Sequence, residues 1–358
     1  MLPSEPLTTR QARAALTEIL GDALPPLREL RLGRRLEEMA VFGVLWGVGL
    51  ALAWGSGQAE GAAQWALRGG AVLASALALN AFVLLLHEGM HGVLFRSPVL
   101  NRWVSVALGA TVGMSFSAYR VLHTMHHDHL GSDDDPDDYA AYTDRPVVFW
   151  LMQGLRLSVG AFIYLVAIPI VASRRGTATD RVRIAQEYVV LALLWTAAAL
   201  LVPSSILIWG WLAALPVVAL MVQIRGLTQH GLTERHDALL SSRTVRPHPV
   251  VAFFLLNENY HLEHHLYPEV PSYHLPALHR AAWDHLPRTC EDTSYLGFLG
   301  RFVQQSWALD ETPVGVVHRN VRHLPPRPLV VVVGCHLPPV LDYIVVTRPV
   351  VISLCDRG

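Results

Sequence analysis

Four long stretches of this chain carry almost no charge: Met39 to Trp54, Gly69 to Leu86, Tyr188 to Val202 and Ser205 to Ile224. In a bilayer every backbone N–H and C=O must be satisfied within its own segment, so each stretch reads as a helix crossing lipid. The first is short, about 24 Å at 1.5 Å per residue, and needs local thinning or flanking residues to cross. Composition points the same way. Hydrophobic residues make up 52% of the chain, charged residues 16%, and mean hydropathy is +0.34. That balance is too apolar for an ordinary soluble protein. The expected fold class is an all-α integral membrane protein with four transmembrane helices.

Charge gives the expected orientation. Arg10, Arg13, Arg28, Arg31, Arg34 and Arg35 precede the first span, whereas the loop Gly55 to Gln64 holds one acid and no base. By the positive-inside rule the N-terminus is cytoplasmic, so the second span brings His87 and His91 back to that side. Residues 1–35 are polar and contain Pro and Arg, unlike a secretory signal. Val104 to Ala118 has only 15 residues, rich in Gly, Ser and Thr, and reads as a re-entrant or interfacial helix. Val147 to Ala172 is long enough to cross. It carries Arg156 inside and Pro169 near its end, and Arg174, Arg175, Arg181 and Arg183 follow it. Crossing would put one Arg in hydrocarbon and four outside, so a re-entrant or interfacial placement is expected here too. The third and fourth spans form a hairpin at Pro203-Ser204. With an even number of spans, Arg225 to Pro287 becomes a cytoplasmic, His-rich helical cap. The expected organisation is a cytoplasmic segment over 1–38, a membrane-embedded domain over 39–312, and a β-prone or loosely ordered tail over 313–358. No solenoid-type repeat is visible.

The chemistry lies in the histidines. His123-Thr124-Met125-His126-His127 and His261-Leu262-Glu263-His264-His265 both read HxxHH, and His87-Glu88-Gly89-Met90-His91 precedes them. With 18 His in 358 residues, about 0.04 HxxHH matches are expected by chance. On a helix, positions i, i+3 and i+4 share a face, so each HxxHH aims three imidazoles the same way. A zinc site takes three or four protein ligands, so eight imidazoles are enough for two ions. Imidazole suits iron, zinc and copper alike, and ligand type does not choose among them. His230, at the inner end of the fourth span, is a ninth candidate. Asp133 to Asp138, Glu88, Glu258 and Glu263 are candidates to receive the second ring N–H of a metal-bound His. Asn257 precedes His261 by four residues and is expected on the same helical face. His87 to His91 also fits HExxH, in which the Glu is the general base of a zinc protease. That reading needs a further ligand and leaves both HxxHH motifs unused.

Net charge is −1, which gives no field for nucleic acid. Cys290, Cys335 and Cys355 form no CxxC pair, so neither a disulfide framework nor a fused rubredoxin is expected.

From Arg35 to Leu309 the chain resembles the membrane fatty-acid desaturase/hydroxylase superfamily, which carries three histidine boxes. The matching pieces are HEGMHG followed by Phe95-Arg96-Ser97, HTMHHDHL followed by Asp135-Pro136-Asp137, and NENYHLEHHLYPEVPSYHLPALH at 257–279. The resemblance implies a non-haem di-iron centre at the cytoplasmic membrane face, with O2 as co-substrate and oxidation of an unactivated C–H bond. It carries over His87, His91, His123, His126, His127, His261, His264 and His265 as ligands, and His230 as an extra one. Some members place an Asn four residues before that extra His; here the position is Gly226.

The implied activity is introduction of a double bond into an acyl chain of a lipid. The alternative is a carotenoid or terpenoid ring ketolase or hydroxylase, and the zinc protease is the distant third. The chain has no CxxC pair, GxGxxG loop or haem module to carry electrons. An external donor, a ferredoxin or a cytochrome b5-like protein with its reductase, is therefore the expected partner. Arg174, Arg175, Arg181 and Arg183 are a candidate docking patch for it, with topology anchoring as the plainer reading. The expected location is a multi-pass place in a bacterial inner membrane.

Overall fold

The computed structural model describes residues 6–139, 142–287, 291–292 and 294–306. The expected tail at 313–358 lies outside them. Among the described residues the architecture is helical, and its strands are two short ones.

Helix α1 (Thr9–Leu20) opens with a capping box in which Thr8 and Gln11 bond reciprocally. Helix α2 (Leu32–Ser56) and helix α3 (Gly61–Met90) pack as an antiparallel pair and are both apolar enough to cross a membrane. The apolar core of α2 begins near Met39, yet the helix starts seven residues earlier. Its first turns are charged and ion-paired: Arg34 reaches Glu37 at 2.9 Å, and buried Arg35 reaches Glu38 at 2.8 Å. Pairs at this spacing support a helix without contributing apolar character.

After α3 the chain makes α4 (Pro98–Thr111) and α5 (Phe116–His129). The single short helix expected over Val104 to Ala118 is thus two helices. The break falls at Val112 to Ser115, where Gly113 takes φ 74° and Ser115 caps α5 by accepting from the Ala118 N–H at 3.1 Å.

Helix α6 (Pro146–Arg175) does not run straight: Pro146–Gly160 and Leu165–Arg175 lie at 109° to one another. So sharp a turn suits a broken or re-entrant segment. It leaves Arg156 buried against protein rather than facing lipid, 5% exposed with Nε donating to Gln223 Oε1 at 3.0 Å.

Helix α7 (Ala178–Leu201) starts at a capping box of Thr177 and Asp180. It is followed by α8 (Ser204–Trp209) and α9 (Leu215–His230), and the stretch Ser204–His230 is the fourth span. The four spans expected from the apolar runs are present.

Beyond α9 comes the cap: α10 (Pro249–Phe254), α11 (His261–Leu266), α12 (Leu275–Ala282) and α13 (Tyr295–Ser306). Strands β1 (Thr244–Val245) and β2 (Glu291–Asp292) pair in parallel, with Thr244 opposite Glu291. Helix α1 belongs to this layer. Its Leu16 and Leu20 pack with Leu262, Leu266, Leu275 and Leu278, and Arg28 reaches Glu269 at 2.8 Å. A second cluster, around Leu79, Leu84, Leu85 and Leu86 of α3 with Phe42 and Val218, fills the membrane layer. The histidines lie at the junction of the two layers.

Candidate metal centre

Three helix ends and one short helix carry the histidines. The last turn of α3 carries His87, with His91 as its C-cap. This end is locked by α4. The Asn101 amide donates to Gly89 O at 2.7 Å, while its Oδ1 accepts from Leu94 N and Phe95 N, both at 3.2 Å. Gly89 makes the approach possible, because a Cβ there would sit 1.9 Å from Ser105 Oγ.

Helix α5 carries His123, His126 and His127, and its N-terminus is fastened to α7. The buried Glu187 carboxylate accepts from Ser115 Oγ at 2.7 Å, Ser117 N at 2.8 Å and Ser117 Oγ at 2.6 Å. An acid at a helix N-terminus also complements the helix dipole. Helix α9 ends on His230, and Gln229 beside it donates to Glu258 O at 2.6 Å. Helix α11 carries His261, His264 and His265. It is placed by β1, whose Val245 N donates to Asn259 O at 2.8 Å.

All nine sequence-predicted histidines converge. His87, His91, His123, His127 and His264 form one group, in which one nitrogen from each lies within 4.8 Å of all the others. His126, His230 and His265 form a second group under the same limit. His261 joins the second group, with its Nε2 2.9 Å from His230 Nε2 and 3.1 Å from His265 Nε2. Each HxxHH motif is therefore split. The outer pair of the first motif, His123 and His127, goes to one group and its middle His to the other. The last motif divides the opposite way, with His264 crossing over. The groups abut where the His127 and His265 rings stack, centroids 4.2 Å apart.

The donor set fits a pair of metal ions. Neutral imidazole has one N–H and one lone pair, so three mutually close Nε2 atoms cannot all be satisfied by one another. Both ring nitrogens of His264 and Nε2 of His127 are buried with no hydrogen-bond partner. Buried polar groups without partners are rare and call for an explanation, such as an ion. Burial, followed by the neighbouring imidazoles, holds His123, His127, His264 and His265 well below the ordinary value. His261 is held down by the same two causes. They stand neutral, the form that binds metal.

The outer partners are specific. His126 Nδ1 lies 2.8 Å from Asp135 Oδ1. That carboxylate also accepts from Gly131 N at 3.0 Å and Asp137 N at 2.9 Å. His230 Nδ1 faces Ser241 O at 3.4 Å, and His87 Nδ1 lies 3.4 Å from Glu258 Oε1. Burial pushes Glu258 up to about 7, opposed by the Arg225 charge.

Other candidates fall elsewhere. Asp133 and Asp138 pair with Arg235 at 2.6 and 2.7 Å. Glu263 accepts from Thr244 Oγ1 and faces His279 Nδ1, which fixes α11 from behind. Glu88, the base that the protease reading needs, is ion-paired with Arg35 and accepts from Ser272 N at 3.0 Å. Asn257 does not share a helical face with His261. It has φ 62°, α11 begins only at His261, and its side chain borders a different pocket with Arg34 and Glu38.

A cavity of about 350 Å³ opens beside the histidines, bordered by His87, His123, His126, His230 and His261. Tyr119, Gln223 and Arg225 also line it. Sequence reasoning did not single these out; the polar Gln223 and Arg225 at the inner end of an apolar span were the available signal.

The chain is similar to the sphingolipid delta(4)-desaturase/C4-monooxygenase of Bos taurus, 26% identical over 223 residues, and to that of Homo sapiens, 25% identical over 232. Each match covers 58% of this chain and 64% of the relative, so the chain spans just under two thirds of those proteins. It is also similar to a beta-carotene ketolase from a Paracoccus species, 29% identical over 202 residues, covering 53% of this chain and 70% of the relative. The family model described as fatty acid desaturase matches residues 63–295, which hold all nine histidines. The chain belongs to the fatty acid desaturase family.

Proposed function

We propose that this chain is an O2-dependent membrane oxidoreductase with a di-iron centre, which introduces a double bond into an acyl chain of a lipid. The observation that carries the reading is the division of nine buried or half-buried histidines into groups of five and four that abut one another. In this reading His87, His91, His123, His127 and His264 hold one iron. His126, His230, His261 and His265 hold the other. When bound, the irons supply O2-dependent oxidation of an unactivated C–H bond.

The protein's own contribution is position and exclusion of water. Leu122, Met152, Ile168, Val171 and Val222 give the cavity an apolar wall that accepts hydrocarbon and keeps water from it. Asp135 and the Ser241 carbonyl fix the rings of His126 and His230, and Glu258 Oε1 lies 3.4 Å from His87 Nδ1. Removing two hydrogens while O2 is reduced to two waters consumes two electrons and two protons. A ferredoxin or a cytochrome b5-like protein, with its reductase, is the proposed electron source.

By the positive-inside argument the histidines lie on the cytoplasmic side of a bacterial inner membrane. Residues 39–312 form the membrane-embedded domain between a cytoplasmic segment and a tail. The ketolase relative favours a second reading, oxygenation of a carotenoid or terpenoid ring at the same centre. Lipid and pigment profiling of a host expressing the chain separates the two. New unsaturated acyl chains are expected; oxygenated carotenoids with unchanged lipids would support the second reading instead.

A further inference from the structure

We propose that the hollow between the start of α2 and α10 binds a zwitterionic phospholipid from the leaflet on the histidine side, at a site separate from the cavity beside the histidines. The inference goes beyond the proposed oxidation and does not depend on it.

The hollow has a volume of about 490 Å³, larger than the cavity beside the histidines and within the usual range of ligand sites. Among the described residues none borders both. Four charged residues line it, Arg34, Glu37, Glu38 and Arg246. Its apolar side is Phe42, Phe253 and Leu256, and the two phenyl rings stack with centroids 5.5 Å apart. Two arginines against two glutamates leave no net charge. A ligand carrying one charge of each sign matches this set, whereas a singly charged one leaves an excess.

Helix α2 continues the site into the bilayer. Glu37, Val41, Val44 and Val48 follow Arg34 at i+3, i+7, i+10 and i+14, which is one stripe of the helix. The three valines are exposed, as are Val250, Val251 and Phe253 of α10. From Val41 to Val48 the stripe descends about 10 Å, against about 15 Å for the hydrocarbon of one leaflet. Charged at its head and apolar below, it has the polarity profile of one phospholipid, with headgroup in the hollow and an acyl chain along the valines. Ordinary lipid contact accounts for exposed valines. It does not account for a balanced, charged hollow at their head.

Polar groups are available there. Arg34 meets Glu37 through Nη1 at 2.9 Å and Glu38 through Nε at 3.6 Å, and among the described residues its Nη2 has no acceptor. Arg246 is exposed and lies over the Trp283 ring, 5.3 Å from its centroid. Both guanidinium groups can take a phosphate, the planar fork matching its oxygens. The Asn257 side chain is half-buried and has no hydrogen-bond partner among the described residues. Its oxygen and the Glu37 carboxylate are the acceptors for the amine. Asn257 has φ 62°, which Asn adopts readily, but its neighbour Leu256 has φ 47°, which Leu does not. Such an outlier persists where contacts hold it. The turn runs on through Tyr260 into His261, so a headgroup seated on Asn257 steadies the approach to α11.

The test is equilibrium binding to the purified full-length protein in detergent, with dipalmitoylphosphatidylethanolamine and dipalmitoylphosphatidylglycerol, which share their chains. Wild type is expected to bind the first about fivefold tighter or more. Arg246→Gln should weaken both about fivefold, because both carry the phosphate. Glu37 is exposed and its surface pair with Arg34 contributes little to folding, so Glu37→Gln keeps the fold. It should weaken phosphatidylethanolamine about threefold and leave phosphatidylglycerol unweakened. A phosphatidylethanolamine with a diazirine on its acyl chain should label α2 or α10. The chain-free headgroup, glycerophosphoethanolamine, should fail to displace the lipid at equal concentration. Equal binding of the two lipids by wild type overturns the proposal, as does phosphatidylethanolamine binding unchanged in Glu37→Gln. Displacement by the free headgroup, or label confined to α5, α6 and α9, overturns it too. None of these outcomes bears on whether the histidines hold iron.

Discussion

Asp135 grips His126 through Nδ1 at 2.8 Å, while two backbone N–H groups, from Gly131 and Asp137, hold the carboxylate in place. The other ring nitrogen is thereby committed to the group that His126 forms with His230 and His265. Asp135→Asn keeps the shape but weakens the acceptor. Loss of such a partner costs about 10- to 100-fold in metal affinity. Titration with a chelator is expected to remove one iron from this variant well before the other, whereas both leave wild type together.

Gly89→Ala is expected to damage the other group. The added methyl meets Ser105 Oγ at 1.9 Å, on a helix clamped by Asn101. Overpacking of this kind costs about 1–3 kcal/mol. Thermal unfolding in detergent should show the loss. The double variant Gly89→Ala/Ser105→Ala should recover part of it, because Ser105 Oγ is the closest obstacle.

Glu88→Gln separates the desaturase reading from the protease one. Glu88 is fully enclosed with Arg35, which keeps Glu38 as its ion-pair partner among the described residues when the charge is removed. Breaking a buried pair by removing one partner costs about 3–5 kcal/mol, and the remaining partner puts this case near the lower end. The variant is expected to be less stable but to keep its metal. Intact stability with selective loss of a hydrolytic activity would favour the protease.

Acid should unfold the metal-stripped protein. Burial lowers His123, His127, His261, His264 and His265, so the unfolded chain binds more protons than the folded one as pH falls through the ordinary value of 6.5. The stability these groups contribute is present above 6.5 and is lost below it. His126 works the other way. Burial lowers it, but Asp135 raises it further; Glu258, pushed by burial up to about 7, acts in the same direction, so these are two groups against five. A pH series of unfolding midpoints checks the sign; a stability that rises on acidification would contradict it.

The spans were legible because an apolar run has no other use for its length. Their ends were less so. Helix α2 begins at Leu32, seven residues before Met39, since paired Arg and Glu extend a helix that hydropathy alone stops. The start of α7 was readable from Thr177 and Asp180, and the break before α5 from Gly113 and Ser115, signals that the apolar count passes over. Arg156 inside an apolar run marked a segment that does not cross simply, and the 109° bend agrees. The convergence of the nine histidines followed from their motifs and the parity of the spans. Their division into five and four did not, because it depends on how four helices meet. Asn257 was misplaced for a local reason: helical spacing was extended back across a turn in which Leu256 and Asn257 both have positive φ.

Everything functional here requires that these histidines hold iron in a fixed number. Elemental analysis of the purified full-length protein, expressed with iron and zinc both available, tests this most directly. The account predicts two irons per chain, with His264→Ala and His126→Ala each falling below two. One zinc per chain with no iron would contradict it.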